Sequence, residues 1–180
     1  MWWPDKQLRL FRRRKGKFAC KHLHEYIDVE GRAEHLSEPY IHYNYESVSQ
    51  YIRKMDTLYT EGEVEKLIAS KYQLAWYDAL RFPLSDFVKI YFAQKGYKDG
   101  LHGLVLGILQ AMYSFIVFAK LWERQSFRDV PVSLDAVQGE MKKGWADIGY
   151  WVTSTRIEET RNPLSKLWLR LKRKYDRATS

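Results

Sequence analysis

The sequence predicts an α+β chain that is mostly α: a short β-containing segment at the N-terminal end, then about five helices. Three observations lead there. From Val48 onward, apolar residues recur at spacings of three and four, the period of a helix packed on one face. Leu101 to Ala119 carries no formal charge, with Asp99 before it and Lys120 after. Only ahead of residue 46 do short runs of extended character appear, broken by a basic turn. The chain therefore divides into a strand-rich segment over 1–45, a helical region over 46–125 and a helical tail over 126–180.

The elements are taken in order. Leu8–Phe11 and Phe18–Cys20 flank the run Arg12–Lys17, which predicts a strand–turn–strand unit with Gly16 as the turn residue. Tyr40–Tyr43 has the composition of another strand. Ser47 precedes the series Val48, Tyr51, Ile52, Met55, Leu58 and Tyr59, predicting a capped helix. Gly62 weakens it, and a second helical stretch is expected through Leu67, Ile68, Tyr72 and Ala75. Pro83-Leu84-Ser85-Asp86 reads as a fresh helix start running to Gly96.

At about 1.5 Å per residue, Leu101–Ala119 would reach roughly 28 Å, near the hydrocarbon thickness of a bilayer. His102, Gln110 and Tyr113 dilute the run, so a buried or half-buried helix is expected ahead of a spanning one. Val132–Met141 suits a helix, with Gly139, Gly144 and Gly149 as interruptions in this part of the chain. Asn162-Pro163 opens a last helix. Leu164, Leu167, Trp168, Leu171 and Tyr175 share one of its faces, and Lys166, Arg170, Lys172, Arg173, Lys174 and Arg177 supply the rest. This is the composition of a helix lying in a membrane interface, with Leu164, Leu167, Trp168, Leu171, Lys172 and Arg173 as contact residues. The competing reading is a terminal helix docked on the protein with a solvated basic face.

A net charge of +8 points to an anionic partner. The single cysteine, Cys20, excludes an internal disulfide framework and fits a reducing compartment. The first residues carry charge where a signal peptide has its apolar core. Cations cluster toward the two ends rather than interleaving with aromatics on one surface, which argues against a nucleic-acid partner.

Three constellations carry chemistry. On an extended run, Cys20, His22 and His24 point to one face and could hold zinc, although no second cysteine or paired spacing supports it. Glu25, with His24 beside it, can act as a general base on a hydroxyl nucleophile, or stand as an exposed loop carboxylate. Arg12–Lys17 is either a solvated turn or a contact for diphosphate or lipid phosphate.

The order of these tracts resembles family 2 glycosyltransferases of the GT-A type, as found in bacterial lipopolysaccharide-core and surface-glycan synthesis. The likeness rests on Pro4-Asp5-Lys6-Gln7-Leu8-Arg9-Leu10-Phe11-Arg12-Arg13, then His24-Glu25, then Tyr40-Ile41-His42-Tyr43. Tyr51-Ile52-Arg53-Lys54 with Tyr59-Thr60, and Gly96-Tyr97-Lys98-Asp99-Gly100 after Pro83, Phe87 and Tyr91, extend it to about residue 125. The resemblance implies the acceptor-side, C-terminal half of such an enzyme. Glu25 is then the base assisted by His24, His42 a ligand of Mg or Mn in the complete enzyme, and Arg9, Arg12 and Lys54 the phosphate or acceptor contacts. One departure matters: no Asp-x-Asp occurs in the 180 residues. The expectation is a chain inactive without a nucleotide-binding half, carried by a separate chain or missing from a fragment. Its partners would be a nucleotide-sugar donor, a glycan or lipid-linked acceptor and an anionic membrane, with the protein peripheral on the cytoplasmic face. The alternative is a non-catalytic membrane-surface interaction protein.

Overall fold

The computed structural model describes residues 6, 8, 10–18, 27–38, 41, 43 and 45–179. They form β1 (Gly16–Phe18), β2 (Ile27–Val29), α1 (Val48–Lys54), α2 (Thr60–Ala69), α3 (Asp78–Val88), α4 (Gly100–Arg124), α5 (Leu134–Glu159) and α6 (Pro163–Thr179). Two π-helical stretches, Met55–Tyr59 and Lys89–Ala93, and a 3-10 turn at Gly96–Asp99 join neighbouring pieces. The architecture is thus mostly α behind a small N-terminal β unit, as predicted.

The hairpin differs from the expected one. β1 pairs antiparallel with β2, Gly16 opposite Val29 and Phe18 opposite Ile27. The turn closes earlier, where Lys15 N donates to the Arg12 carbonyl at 2.9 Å and Arg14 takes a left-handed φ of 69°. Gly16 is thereby left in the strand, while Leu8, Leu10 and Phe11 stay outside it. Phe11 instead lies edge-on to Phe18 at 6.3 Å. Ile41 and Tyr43 are not in a strand, and Tyr40 and His42 lie outside the described residues, as do Ala19 and Cys20.

Ser47 caps α1 as expected, its hydroxyl accepting from Gln50 N at 3.1 Å. The helix then continues through the π stretch and across Gly62 without a break. It ends where Lys71 turns left-handed at φ 57° and Tyr72 N bonds back to the Leu67 carbonyl. Tyr72 and Ala75 therefore fall in the following turn, not in a helix. There the buried Asp78 carboxylate accepts from Ala75 N at 2.8 Å and the Tyr72 hydroxyl at 3.0 Å. That anchor starts α3 five residues ahead of the expected Pro83, which sits inside the helix. α5 is likewise unbroken by its three glycines. It is capped by Ser133, whose Oγ accepts from Ala136 N at 3.1 Å. Asn162 Oδ1 accepts from Leu164 N at 2.9 Å and Ser165 N at 3.3 Å, and Pro163 opens α6.

The helices gather around α4. Its inner stripe is Gly103, Gly107, Ser114, Val117 and Leu121, all buried. Val64 of α2 meets Val117 and Leu121 in a small core, with Leu67, Tyr72, Leu74 and Tyr113 packed around it. Near the start of α4, a methyl built on Gly103 would overlap the Gly96 carbonyl oxygen. On Gly107 it would lie 3.3 Å from the Phe87 ring of α3. Close approach there is what the glycines permit.

Gly103→Ala is accordingly expected to cost about 1–3 kcal/mol, the usual penalty of overpacking. Gly139→Ala, in a helix interior where an added Cβ meets nothing within 4 Å, is expected to gain about 0.5–1 kcal/mol. Urea unfolding followed by circular dichroism checks both, and equal midpoints for the two variants would remove the packing argument.

Candidate functional site

Of the residues predicted to carry chemistry, Glu25, His24, Arg9 and His42 lie outside the described residues, as do Cys20 and His22. Arg12 stands exposed just before β1, in a turn whose neighbour Lys15 pairs with Glu30 at 3.1 Å. Lys54 ends α1, its ammonium 5.2 Å from the centre of the Tyr45 ring, which in turn stacks edge-on with Tyr51 at 4.7 Å.

A polar cluster that sequence reading missed lies between α3 and α4. Asp86 Oδ2 accepts from Gln110 Nε2 at 3.3 Å and from the Ser114 hydroxyl in a very short bond. The Tyr51 hydroxyl is pushed up to about 12, first by burial and then by the Asp86 carboxylate. Tyr113 is also pushed up to about 12, by burial ahead of the charges of Glu63 and Asp86. The Tyr113 hydroxyl donates to the Tyr59 carbonyl at 3.4 Å. No spacing in the sequence could have announced the cluster, since Asp86 finds partners 24 and 28 positions on.

α5 is fastened to the bundle by charge. Arg81 of α3 meets Glu140 through two parallel bonds of 2.8 and 2.9 Å, and Lys143 adds a third at 2.6 Å. The Arg81 guanidinium also lies 3.9 Å from the Tyr77 ring centre. At its other end α5 carries α6. Arg173 donates to Ser154 Oγ at 3.0 Å and stands over the Tyr150 ring at 5.2 Å.

This attachment orients α6 in an unusual way. The half-buried residues are Lys166, Leu169 and Arg173, one side of the helix. On the opposite side Leu164, Leu167, Trp168, Leu171 and Tyr175 are 56–78% exposed. A helix docked on a soluble core normally does the reverse. Lys172 flanks the apolar face with its ammonium 5.5 Å from the Trp168 ring centre. Arg173, grouped with these residues from sequence, is turned away onto α5.

α4 also has two apolar faces. Opposite its buried stripe, Leu101, Val105, Ile108, Met112, Phe115 and Trp122 are exposed. The helical stretch Gly96–Arg124 is long and apolar enough to cross a membrane by length and composition, with a mean hydropathy of 1.9 in its most apolar window. Only 22% of that window is buried in the bundle.

The chain is similar to the lipopolysaccharide core biosynthesis glycosyltransferase LpsC of Rhizobium meliloti (strain 1021), with 25% identity over 134 residues. The alignment takes in 73% of this chain and 49% of the relative, so the chain spans about half the length of that protein. No protein-family model matches, and neither does any solved structure.

The α3–α5 clamp has a measurable consequence in acid. Hydrogen bonds from Arg81 and then Lys143 lower the Glu140 carboxyl from 4.5 to about 2. A lowered folded-state value stabilises fully above the unfolded one, and that contribution fades as pH falls through the folded one. Stability of the parent is therefore expected to fall between about 4.5 and about 2, and Glu140→Gln to flatten that part of the curve. Thermal melts across this range would show identical acid slopes if the clamp contributed nothing.

Proposed function

We propose that this chain is the acceptor-side part of a sugar-transferring enzyme that works against an anionic membrane surface. The observation that carries the reading is the likeness to a lipopolysaccharide core glycosyltransferase over 73% of the chain. In this reading the Glu25 carboxylate, oriented by His24, takes the proton of an acceptor hydroxyl. The freed oxygen attacks the anomeric carbon, a new glycosidic bond forms, and the bond to the nucleoside diphosphate breaks with the electron pair leaving on phosphate oxygen. Arg9, Arg12 and Lys54 are proposed to contact the phosphates or the acceptor. The clamp on the diphosphate belongs to a nucleotide-binding half, in the same longer protein or in a separate chain. Among the described residues no group of three or more His, Cys, Asp or Glu side chains could hold a metal. His42, which lies outside the described residues, is proposed as a ligand for Mg or Mn only in the complete enzyme, and the transfer step does not run through the ion.

The membrane part of the proposal is supported by α6. Its five large apolar side chains face outward, and Lys172 and Lys174 border them. Each such side chain gains about 1.5–3 kcal/mol when fully buried, and each cation about 1 kcal/mol beside an anionic leaflet. The acceptor is then lipid-linked or part of a surface glycan, approached from the cytoplasmic face. Transfer itself is the point that separates this reading from a non-catalytic membrane-surface protein.

With the nucleotide-binding half present, Glu25→Gln is expected to cut turnover by about two to four orders of magnitude with donor affinity little changed. Radiolabelled sugar transfer measures it, and a variant keeping more than a tenth of the parent rate would assign the carboxylate no part in the chemistry.

The unmodified chain is expected to sediment with phosphatidylglycerol-containing vesicles and much less with neutral ones. The attraction should weaken at 1 M salt, where the Debye length is about 3 Å. Replacing Leu167, Trp168 and Leu171 together by Ser leaves Lys166, Leu169 and Arg173 on α5 and is expected to abolish most of the difference. Undiminished binding by that variant would move the contact to the outer stripe of α4.

A further inference from the structure

The stretch from Leu10 to Phe18 holds five cations, Arg12, Arg13, Arg14, Lys15 and Lys17, and no acid. Two of them are answered locally. Lys15 pairs with Glu30 at 3.1 Å, and Lys17 stands across the ladder from Asp28. Among the described residues, Arg12, Arg13 and Arg14 have no acidic partner. The proposed transfer site takes Arg12 and leaves Arg13 and Arg14 without a role.

The backbone that carries them is fixed by hydrogen bonds. Lys15 N donates to the Arg12 carbonyl at 2.9 Å, and Glu30 N to the Lys15 carbonyl at 3.0 Å. Between them Arg14 is held at a φ of 69°, where few residues other than glycine settle. Every residue from Leu10 to Lys15 is exposed, so the turn projects into solvent and does not line a cleft. A small anion is captured where donors converge in a concave site. A projecting row of guanidiniums suits an extended surface of phosphates instead.

The apolar neighbours of the turn narrow the choice of surface. Leu10 is 76% exposed and Phe18 54%, one on each side of the cations in the chain. Phe11 lies edge-on to Phe18 at 6.3 Å and covers Gly16, where an added Cβ would come within 2.5 Å of its ring. That ring has given a face to the protein, whereas single-stranded nucleic acid is held by open faces on which bases stack. Leucine has no such face to offer. Leucine and phenylalanine beside arginines match a lipid interface, with apolar groups at the acyl boundary and cations among the headgroups.

We infer that the basic turn before β1 is a second membrane contact, with Arg13 and Arg14 on anionic headgroups and Leu10 and Phe18 at the acyl boundary. The inference rests on the membrane reading and deepens it. One contact comes from each end of the chain, and two contacts on one leaflet hold more tightly than either alone.

The test uses the whole chain carrying Cys20→Ser and Leu10→Cys, labelled at position 10 with an environment-sensitive fluorophore. Phosphatidylglycerol-containing vesicles are expected to shift its emission to the blue, and neutral vesicles to leave it unchanged. In the unlabelled chain, Arg13→Gln with Arg14→Gln is expected to weaken binding to the anionic vesicles about tenfold or more and to reduce its salt dependence. Circular dichroism of that variant should match the parent. An unshifted label on vesicle-bound protein, or equal vesicle affinity for parent and variant, would overturn the inference. So would loss of the shift to millimolar pyrophosphate at constant ionic strength, which marks a free diphosphate as the ligand. Retardation of a single-stranded oligonucleotide that needs Arg13 and Arg14, with vesicle binding independent of them, would overturn it in favour of nucleic acid. If the label fails while sedimentation still depends on Leu167, Trp168 and Leu171, the second contact alone is lost and the membrane reading stands.

Discussion

Everything in the helical part of this protein depends on how closely other segments can approach α4. Its inner stripe has small residues at Gly103, Gly107 and Ser114 and larger ones only at Val117 and Leu121. At the small end the Gly96 carbonyl and the Phe87 ring come within reach of the α4 backbone, and at the large end Val64 closes the core. The bond from Ser114 to Asp86 sits at the same seam, so a half-buried carboxylate is satisfied where backbones are near. Lys120 ties the far side, reaching the Asp56 carboxylate at 2.9 Å and Glu61 at 2.8 Å. It also donates at 2.6 Å to the Asp56 carbonyl, at the π-helical stretch that links α1 to α2. Once α2 and α3 are pinned to α4, the Arg81–Glu140 pair fixes α5, and α5 fixes α6.

This arrangement also explains which parts of the sequence are legible. Capping is: Ser47 and Asn162-Pro163 each stand at or before a helix start, because their signal is local. Glycine and proline mislead in the helical region. Gly62 and the three glycines of α5 read as interruptions and Pro83 as a helix start, yet the helices run through them all. A cost of about 1 kcal/mol per glycine is small against tertiary packing. The opposite error arises at Lys71, a residue with no breaking tendency that ends α2 in a left-handed turn. Helical periodicity alone does not reveal that Asp78 captures Tyr72 and Ala75 and sets the next helix early. The hairpin slips for a similar reason: Arg14 takes the left-handed position that Gly16 is better suited to fill.

Site residues are legible only where one element carries them. α6 presents Leu164, Leu167, Trp168 and Leu171 together because helical spacing guarantees it. The Asp86, Ser114 and Gln110 cluster spans two helices and has no linear signature. Arg173 illustrates the limit. Its place in the basic run suggests a surface cation, and only the packing of α6 on α5 turns it inward.

The orientation of α6 poses the sharpest physical question. Docked as it is, the helix gives the protein Lys166, Leu169 and Arg173 and keeps five large apolar side chains in water. Turning it over would bury those side chains, at about 25 cal/mol per Å² of apolar surface removed from water. It would also tear Arg173 from Ser154 and Tyr150, a charge-assisted contact worth on the order of 1.5–3 kcal/mol. On area alone the inverted helix should win, since several leucines and a tryptophan outweigh one guanidinium. The observed orientation is therefore reasonable only if something else takes the apolar face. The proposed leaflet would do so without releasing Arg173, because acyl chains would accept the leucines while Lys172 and Lys174 stayed beside the headgroups. The two demands, polar contacts inward and apolar burial outward, would be met at once if α6 lay between the protein and a bilayer, as proposed.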